Sequence, residues 1–229
     1  MAPFDFQPLV LSLEVALCAL LLVLFAGTLA ARLMCGPPFP GKDLIEGTFL
    51  LPLVLPPVVT GFVLLVLLGR HGWVGVPLRH WLGIQLIFTP AAAVLASAVV
   101  AFPLMYGSMK AAFSNLDPQL EDVAGSLGAT PWRVFWSVTL PLAWPGLLAG
   151  TLLAFARALG EFGATIMVAG DIPGRTTTVP TAIYFASESG DLRLAGIYAA
   201  VIGVVNLGLI VVVNGFVRRV AARRRGWRA

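Results

Sequence analysis

The stretch "NLDPQLEDVAGSLGATPWRVFWSVTLP" (residues 115–141) decides how the chain is organised, because it is a polar interruption in a series of long apolar runs. Asp117–Pro118 is a typical helix start, since aspartate caps the first backbone N–H groups and proline fits the first turn. Thr130–Pro131 repeats this signal. We therefore predict two short helices hinged at Gly128–Ala129, with Pro141 ending the segment.

Both predicted helices carry an apolar face at helical spacing. The first face contains Leu120, Val123, Ala124 and Leu127, and the second contains Trp132, Phe135 and Trp136. Such a surface fits two interpretations: the segment lies on the lipid surface, or it docks a cytoplasmic partner. The residues alone leave both open.

The rest of the chain has the composition of a membrane protein. It has 229 residues, of which 59% are hydrophobic and 11% charged, whereas soluble domains have about 25% charged residues. We predict an all-α membrane protein with a single domain over residues 1–229. The predicted spans, each long enough to cross a bilayer, are 9–33, 45–69, 90–112, 141–168 and 195–217.

Lys and Arg predict the orientation, because cytoplasmic segments are enriched in them. On the side of 115–141 there are ten, namely Arg32, Lys42, Lys110, Arg133 and the six arginines of the tail "RRVAARRRGWR" (218–228), whereas the other side has four, Arg70, Arg79, Arg175 and Arg193. We therefore expect the N-terminus outside and the C-terminus in the cytoplasm. The tail is expected to contact anionic membrane lipid, and its shortness argues against a nucleic-acid partner. No basic residue precedes 9–33, so we interpret it as a retained span rather than a signal peptide.

The stretch "GPPFPGKD" (36–43) has the glycine and lysine spacing of a nucleotide-binding P-loop. Its three prolines remove backbone N–H groups that would cradle a phosphate, and Asp43 stands where a magnesium-binding hydroxyl is needed. We interpret it as a stiff connector, so any ATP chemistry must belong to a partner.

Neither the cysteines nor the histidines predict chemistry. Cys18 and Cys35 are too far apart on one helix to form a disulfide. His71 and His80 lie outside the spans without other ligands at metal spacing. We expect no metal site and no catalytic residue, and an intramembrane hydrolase is disfavoured because no base is available to a serine nucleophile.

The segment 115–141 resembles the coupling loop of ABC importer permeases. The pattern of that loop is Glu-Ala-Ala, three residues, Gly, nine residues, Ile, one residue and Leu-Pro. Here 122–124 fill the triplet as Asp-Val-Ala, Gly128 is the glycine, and Val138 precedes Leu140–Pro141 at the required spacing. The acidic position of the pattern is open between Glu121 and Asp122.

The resemblance extends over nearly the whole chain and is closest to the permease subunits of molybdate importers. Sulfate permeases share the "GEFGA" element. The stretches that carry it are "LPLVLPPVVTGFVLLVLLG" (51–69), "FPLMYGSMKAAF" (102–113), "LGATPWRVFWSVTLPL" (127–142) and "LAFARALGEFGATIMVAGDIPG" (153–174).

This resemblance implies a type I ABC importer permease fold in a bacterial inner membrane. It implies a second copy of the chain, two ATPase subunits that bind the ATP and magnesium, and an extracytoplasmic molybdate-binding protein. Tungstate or sulfate import and an ion-coupled secondary transporter remain as alternatives. The residues implied for ATPase coupling are Glu121, Asp122, Ala124, Gly128, Ala129, Thr130, Pro131, Trp132, Arg133, Leu140 and Pro141.

Two places within the spans are candidates for the translocation pathway or its gate. In 45–69, prolines remove backbone hydrogen bonds at membrane depth, which is tolerated only against protein or a watery cavity. In 141–168, an ionisable pair one helical turn apart is either a structural ion pair or a site that attracts an oxyanion. The candidates are Pro56, Pro57, Thr60, Gly61, Arg157, Glu161 and Gly163.

A stripe of small residues at four-residue intervals also lies in the fourth predicted span. It permits close approach of another helix, in the bundle or in a homodimer. The stripe consists of Gly146, Gly150, Ala154 and Ala158.

Overall fold

The computed structural model describes residues 5–226, and this part of the chain is helical with no strand. Side chains of the basic tail 218–228 lie outside the described part, so its lipid contact remains a prediction. The elements are α1 (Gln7–Met34), α2 (Lys42–Val54), α3 (Pro57–Leu68), α4 (Gly75–Leu82), α5 (Pro90–Ser114), α6 (Pro118–Ser126), α7 (Pro131–Val134), a π-helical segment (Phe135–Thr139), α8 (Leu140–Leu159), α9 (Gly163–Ala169), α10 (Val179–Glu188) and α11 (Leu192–Gly226).

The core is formed by α1, α5 and α8, which pack side by side. Its buried side chains are mostly alanines and methionines, which suits helices that approach closely in a membrane. Fully buried examples are Ala16, Ala19, Met105, Met109 and Ala154.

The small-residue stripe of α8 lies against α5. A Cβ placed on Gly146 would lie 2.3 Å from the Cβ of Ala112, and one on Gly150 would lie 2.8 Å from the sulfur of Met105. The stripe is therefore a packing surface within the bundle, which is one of the two roles, bundle packing or homodimer contact, that the sequence predicted.

The second predicted span, 45–69, is interrupted at its prolines. It is divided into α2 and α3, which are bent by 119° at Leu55–Pro56. Pro56 and Pro57 cause the break, because neither has a backbone N–H and the residue before a proline avoids helical geometry. Leu55 is extended, with ψ 142°.

The fourth predicted span is wrong at both ends. The helix begins earlier, because α7, the π segment and α8 run without interruption from Pro131 to Leu159. It ends at Leu159, and α9 is a separate helix after a break at 160–162. The first, third and fifth predicted spans correspond to α1, α5 and α11. The described residues thus hold four helices that can span a membrane, or five if α2 and α3 form one broken span.

The two ends of α1 define two faces of the molecule. At its start, Gln7 Nε2 donates a hydrogen bond to the carbonyl of Gly174 (2.7 Å), in the loop before α10. At its end, Arg32 contacts Glu121 of α6. The loop around Gly174 and helix α6 are therefore on opposite faces. Which face is outside remains the prediction made from Lys and Arg.

The packing of α8 on α5 leads to a testable stability difference. Gly146→Val should destabilise the protein by about 1–3 kcal/mol, because the new side chain overpacks a contact with Ala112. Gly203→Val is the matched control, since nothing lies within 4 Å of a Cβ at Gly203 on α11. The thermal unfolding midpoint in detergent measures both, and equal midpoints would contradict this packing.

Candidate functional site

The segment 115–141 forms the predicted hairpin of helices at one face of the molecule. The Asp117 side chain accepts a hydrogen bond from the Gln119 N–H (3.0 Å) and starts α6, and Thr130 accepts one from the Arg133 N–H (3.4 Å) and starts α7. Gly128 has φ +85°, a conformation that a residue with a Cβ rarely adopts. The two predicted helix starts are confirmed, and Gly128 lies between the helices in the left-handed conformation, whereas its role as a hinge stays a prediction.

The second helix differs from the prediction. Leu140 and Pro141 do not end it but lie within the helix that continues into α8, directly after the π segment. The π segment before them makes α7 the first turn of a long helix rather than a separate short one. The hairpin therefore joins a short helix to a membrane span.

The hairpin exposes large apolar side chains. The Leu127 side chain is 84% exposed and Trp132 is 71% exposed. The Trp132 and Trp136 rings contact each other edge to face at 5.5 Å, so the aromatic patch is ordered by its own packing. Ala124 and Ala129 are half-buried beneath it. An apolar surface of this kind suits a protein or lipid partner.

The two neighbouring carboxylates of α6 have different surroundings. Glu121 contacts Arg32 of α1 (Nη2–Oε2, 2.8 Å) and accepts a hydrogen bond from Thr139 Oγ1 (2.6 Å). Asp122 is exposed. The sequence left open which of the two carboxylates fills the acidic position of the coupling-loop pattern. In the structure Glu121 contacts residues of its own chain, whereas Asp122 is accessible to a partner.

The contacts of Glu121 keep it ionised. Burial acts to raise the pKa of its carboxyl, but the hydrogen bonds from Thr139 and Arg32 and the Arg32 charge outweigh burial and lower the pKa below its ordinary value. A lowered carboxyl pKa stabilises the fold above the ordinary pKa, and this contribution is lost as the pH falls through the lowered value. The ion pair is therefore fully formed at neutral pH.

Helices α3 and α9, which follow the two breaks in the spans, pack closely together. A Cβ on Gly61 would lie 2.7 Å from the Ala164 Cα, and one on Gly163 would lie 3.0 Å from the Pro57 Cβ. The structure thus brings together pathway candidates that the sequence placed in two separate spans. Neither helix can approach the other this closely with a larger side chain at these positions.

The ion pair of Arg157 and Glu161 spans the second break, which lies between α8 and α9. The sequence placed both residues on one helix, but α8 ends before Glu161, which lies in the break. Its side chain is 1% exposed; Oε2 lies 2.7 Å from Arg157 Nη1, and Oε1 accepts a hydrogen bond from the Ala164 N–H (2.7 Å). Glu161 therefore caps α9 and ties it to α8.

Two hydroxyls near the α3–α9 contact have no internal partner. The Oγ1 atoms of Thr60 and Thr165 are buried and make no hydrogen bond within the described residues. A buried hydroxyl without a partner is costly in a folded protein. These atoms are consequently candidates for contact with water, a substrate or another chain.

The stretch 36–43 is a connector between α1 and α2. Lys42 Nζ donates to the carbonyl of Gly36 (2.8 Å), so the lysine folds back on its own loop. Among the described residues no group of three or more His, Cys, Asp or Glu could hold a metal ion, and Cys18 and Cys35 are free thiols.

Arg32 and Thr139 are functional candidates that sequence reasoning missed. Arg32 was counted only as a basic residue near a membrane end, and Thr139 was read only as a spacer in the coupling-loop pattern. Arg32 lies 89 positions from Glu121 in the sequence, so no local pattern links them.

The fold and this hairpin define a class of membrane transport component. Residues 23–226 match the family described as "Binding-protein-dependent transport system inner membrane component", and the chain belongs to that family. The fold is similar to the crystal structure of a bacterial ABC transporter involved in the import of the acidic polysaccharide alginate, with TM-score 0.75 and 18% identity over 96% of this chain and 80% of that chain. The chain is therefore a multi-pass transport subunit of the inner membrane.

Closer relatives narrow the class. The chain is 43% identical over 227 residues to the molybdenum transport system permease protein ModB of Escherichia coli, covering 97% of each chain. It is 50% identical over 174 residues to the ModB protein of Haemophilus influenzae, covering 76% of each. In each comparison the match covers the same share of both chains, so both relatives are similar in length to this chain.

The ion pair at the second break leads to a prediction. Arg157→Met should lower stability by about 3–5 kcal/mol, because it leaves the buried Glu161 carboxylate without a counter-charge. The double variant Arg157→Met/Glu161→Gln should recover most of this loss, since glutamine is neutral and still accepts the Ala164 hydrogen bond. Membrane abundance and thermal unfolding measure the effect.

The same variants distinguish a structural ion pair from a site for the transported ion. If all of them reach normal abundance while transport is lost whenever Arg157 is absent, the structural role is refuted. Arg157 would then be a pathway residue.

Proposed function

We propose that the chain is the membrane-spanning subunit of an ATP-driven importer for molybdate. It would receive the oxyanion from an extracytoplasmic binding protein and pass it to the cytoplasm as a homodimer coupled to two separate ATPase subunits. The observation that supports this substrate is the identity of 43% and 50% to two relatives named for molybdenum transport. The chain itself would bind no ATP or magnesium.

The hairpin of α6 and α7 supports a partner at one face. Leu127 and Trp132 are among the most exposed apolar side chains there, and Asp122 and Arg133 provide exposed charges of both signs beside them. A lipid surface accepts the apolar part, but the exposed carboxylate of Asp122 on the same hairpin favours a protein partner. We therefore assign this surface to the ATPase, with coupling through the glycine hinge.

The α3–α9 pair supports a pathway near the membrane middle. Both helices start at breaks in their spans, and broken backbone at this depth occurs only against protein or a watery cavity. The unpartnered hydroxyls of Thr60 and Thr165 and the prolines Pro56 and Pro57 are located in this pair. Hydroxyl donors suit a tetrahedral oxyanion, which accepts hydrogen bonds at every oxygen.

Uptake of radiolabelled molybdate tests the proposal. The chain would be expressed with its ATPase and its binding protein in cells that lack their own molybdate permease. We expect uptake to require an intact P-loop lysine in the ATPase. We also expect uptake to persist in a tenfold excess of sulfate, because roughly that ratio corresponds to a modest difference in binding free energy.

Two results would contradict it. Uptake that persists with the inactivated ATPase would indicate an ion-coupled secondary transporter. Inhibition by sulfate or tungstate that is at least as strong as inhibition by unlabelled molybdate would contradict molybdate as the specific substrate.

The hinge between α6 and α7 leads to a further prediction. Gly128→Val should reduce uptake strongly, because a β-branched residue at φ +85° is strained by about 1–2 kcal/mol and displaces α6. Gly125→Val is the control, since nothing lies within 4 Å of its Cβ and its φ is not positive. Uptake is compared at equal membrane abundance. Normal uptake by Gly128→Val would refute the hinge.

A further inference from the structure

Helix α6 is attached to the membrane helices in a way that its sequence does not suggest. None of its residues is buried, so apolar packing cannot fix its position. Its backbone approaches α7 and the π segment, and the Gly128 hinge alone connects it to them along the chain. Residues 115–117 also connect it to α5, so the chain itself holds both ends of α6 only through short non-helical connections.

The Glu121 side chain provides the missing attachment. One carboxylate oxygen lies 2.8 Å from Arg32 in the last turn of α1, and the other accepts the 2.6 Å hydrogen bond from Thr139. Thr139 is 0% exposed and is the last residue of the π segment, immediately before α8. A single carboxylate therefore connects three elements.

Thr139 lies at an irregular point of the helix that continues into α8. A π segment departs from the regular helical hydrogen-bond pattern, and such segments are often found at functional sites. The carboxylate of Glu121 therefore contacts the helix at the end of its irregular segment. Arg32 is also favourably placed, because a cation near a helix C-terminus interacts with the helix dipole.

We propose that Glu121 is a positioning residue for coupling: through Arg32 and Thr139 it fixes α6 to α1 and α8, so that displacement of α6 moves both membrane helices. Asp122 remains exposed for the partner that causes the displacement. The proposal rests on the proposed function for the identity of that partner. The attachment of α6 by Glu121 can be tested without it.

The variants are chosen to separate this link from the general loss of an ion pair. Glu121→Gln keeps the size of the side chain but removes its charge opposite Arg32. The double variant Arg32→Glu/Glu121→Arg reverses the pair, and the Thr139 hydroxyl can accept from the new arginine. Glu46→Gln is the matched control, since Glu46 forms an ion pair with Lys110 that joins α2 to α5 and does not involve α6.

The first measurement is the mobility of a spin label on α6. The label is attached at Gly125→Cys, where a side chain meets nothing within 4 Å, after both native free cysteines are replaced by alanine. We expect Glu121→Gln to increase the mobility of the label, and the reversed pair to restore it. Unchanged mobility in Glu121→Gln would overturn the proposal, whatever the chain transports.

The second measurement is ATP-dependent uptake by the assembled transporter at equal abundance. We expect a decrease of about tenfold in Glu121→Gln, within the usual range of coupling between sites, recovery to about half of normal in the reversed pair, and little change in Glu46→Gln. Normal uptake in Glu121→Gln, or an equal decrease in Glu46→Gln, would overturn the proposal. Absence of ATP-dependent uptake in the unaltered protein would refute the proposed function instead, while the label would still decide whether Glu121 holds α6.

Discussion

The close contact between α3 and α9 is the constraint on which the membrane part of the structure depends. Both helices begin where a span breaks, and backbone groups freed at such breaks must find partners inside the protein. Gly61 and Gly163 allow the two helices to approach almost to backbone contact. Glu161 supplies a hydrogen-bond acceptor to the start of α9 and an anion to Arg157. Without Glu161 the N–H of Ala164 at the start of α9 would lose its hydrogen-bond acceptor and Arg157 its counter-charge.

The helix starts of the hairpin were predictable because they depend on adjacent residues. Asp117–Pro118 and Thr130–Pro131 carry their own capping chemistry, and Gly128 suits the left-handed conformation that ends α6. The breaks in the spans were not placed by hydropathy, because apolar residues continue on both sides of each break. The prolines predicted the loss of backbone hydrogen bonds at the first one without giving its geometry, and the second, in "GEFG" (160–163), contains no proline.

The contacts that organise the site could not be predicted, because they join residues that are distant in the sequence. Arg32 and Glu121 meet only because α1 and α5 run side by side and end at the same face of the molecule. The pairing of Gly61 with Ala164 depends in the same way on the fold. The resemblance to coupling loops identified the hairpin correctly as a segment, but it did not distinguish the roles of its two carboxylates.

The continuous helix from Pro131 to Leu159 connects these two regions of the molecule. An irregularity lies at each of its ends: the π segment at Phe135–Thr139 and the break after Leu159. Each is held by one glutamate, Glu121 at Thr139 and Glu161 at Arg157, and each glutamate also reaches another helix. Between these two points α8 also contains Pro145, which removes one backbone hydrogen bond of the helix. The two glutamates therefore join the ends of this helix to α1, α6 and α9, which lie at different positions in the chain.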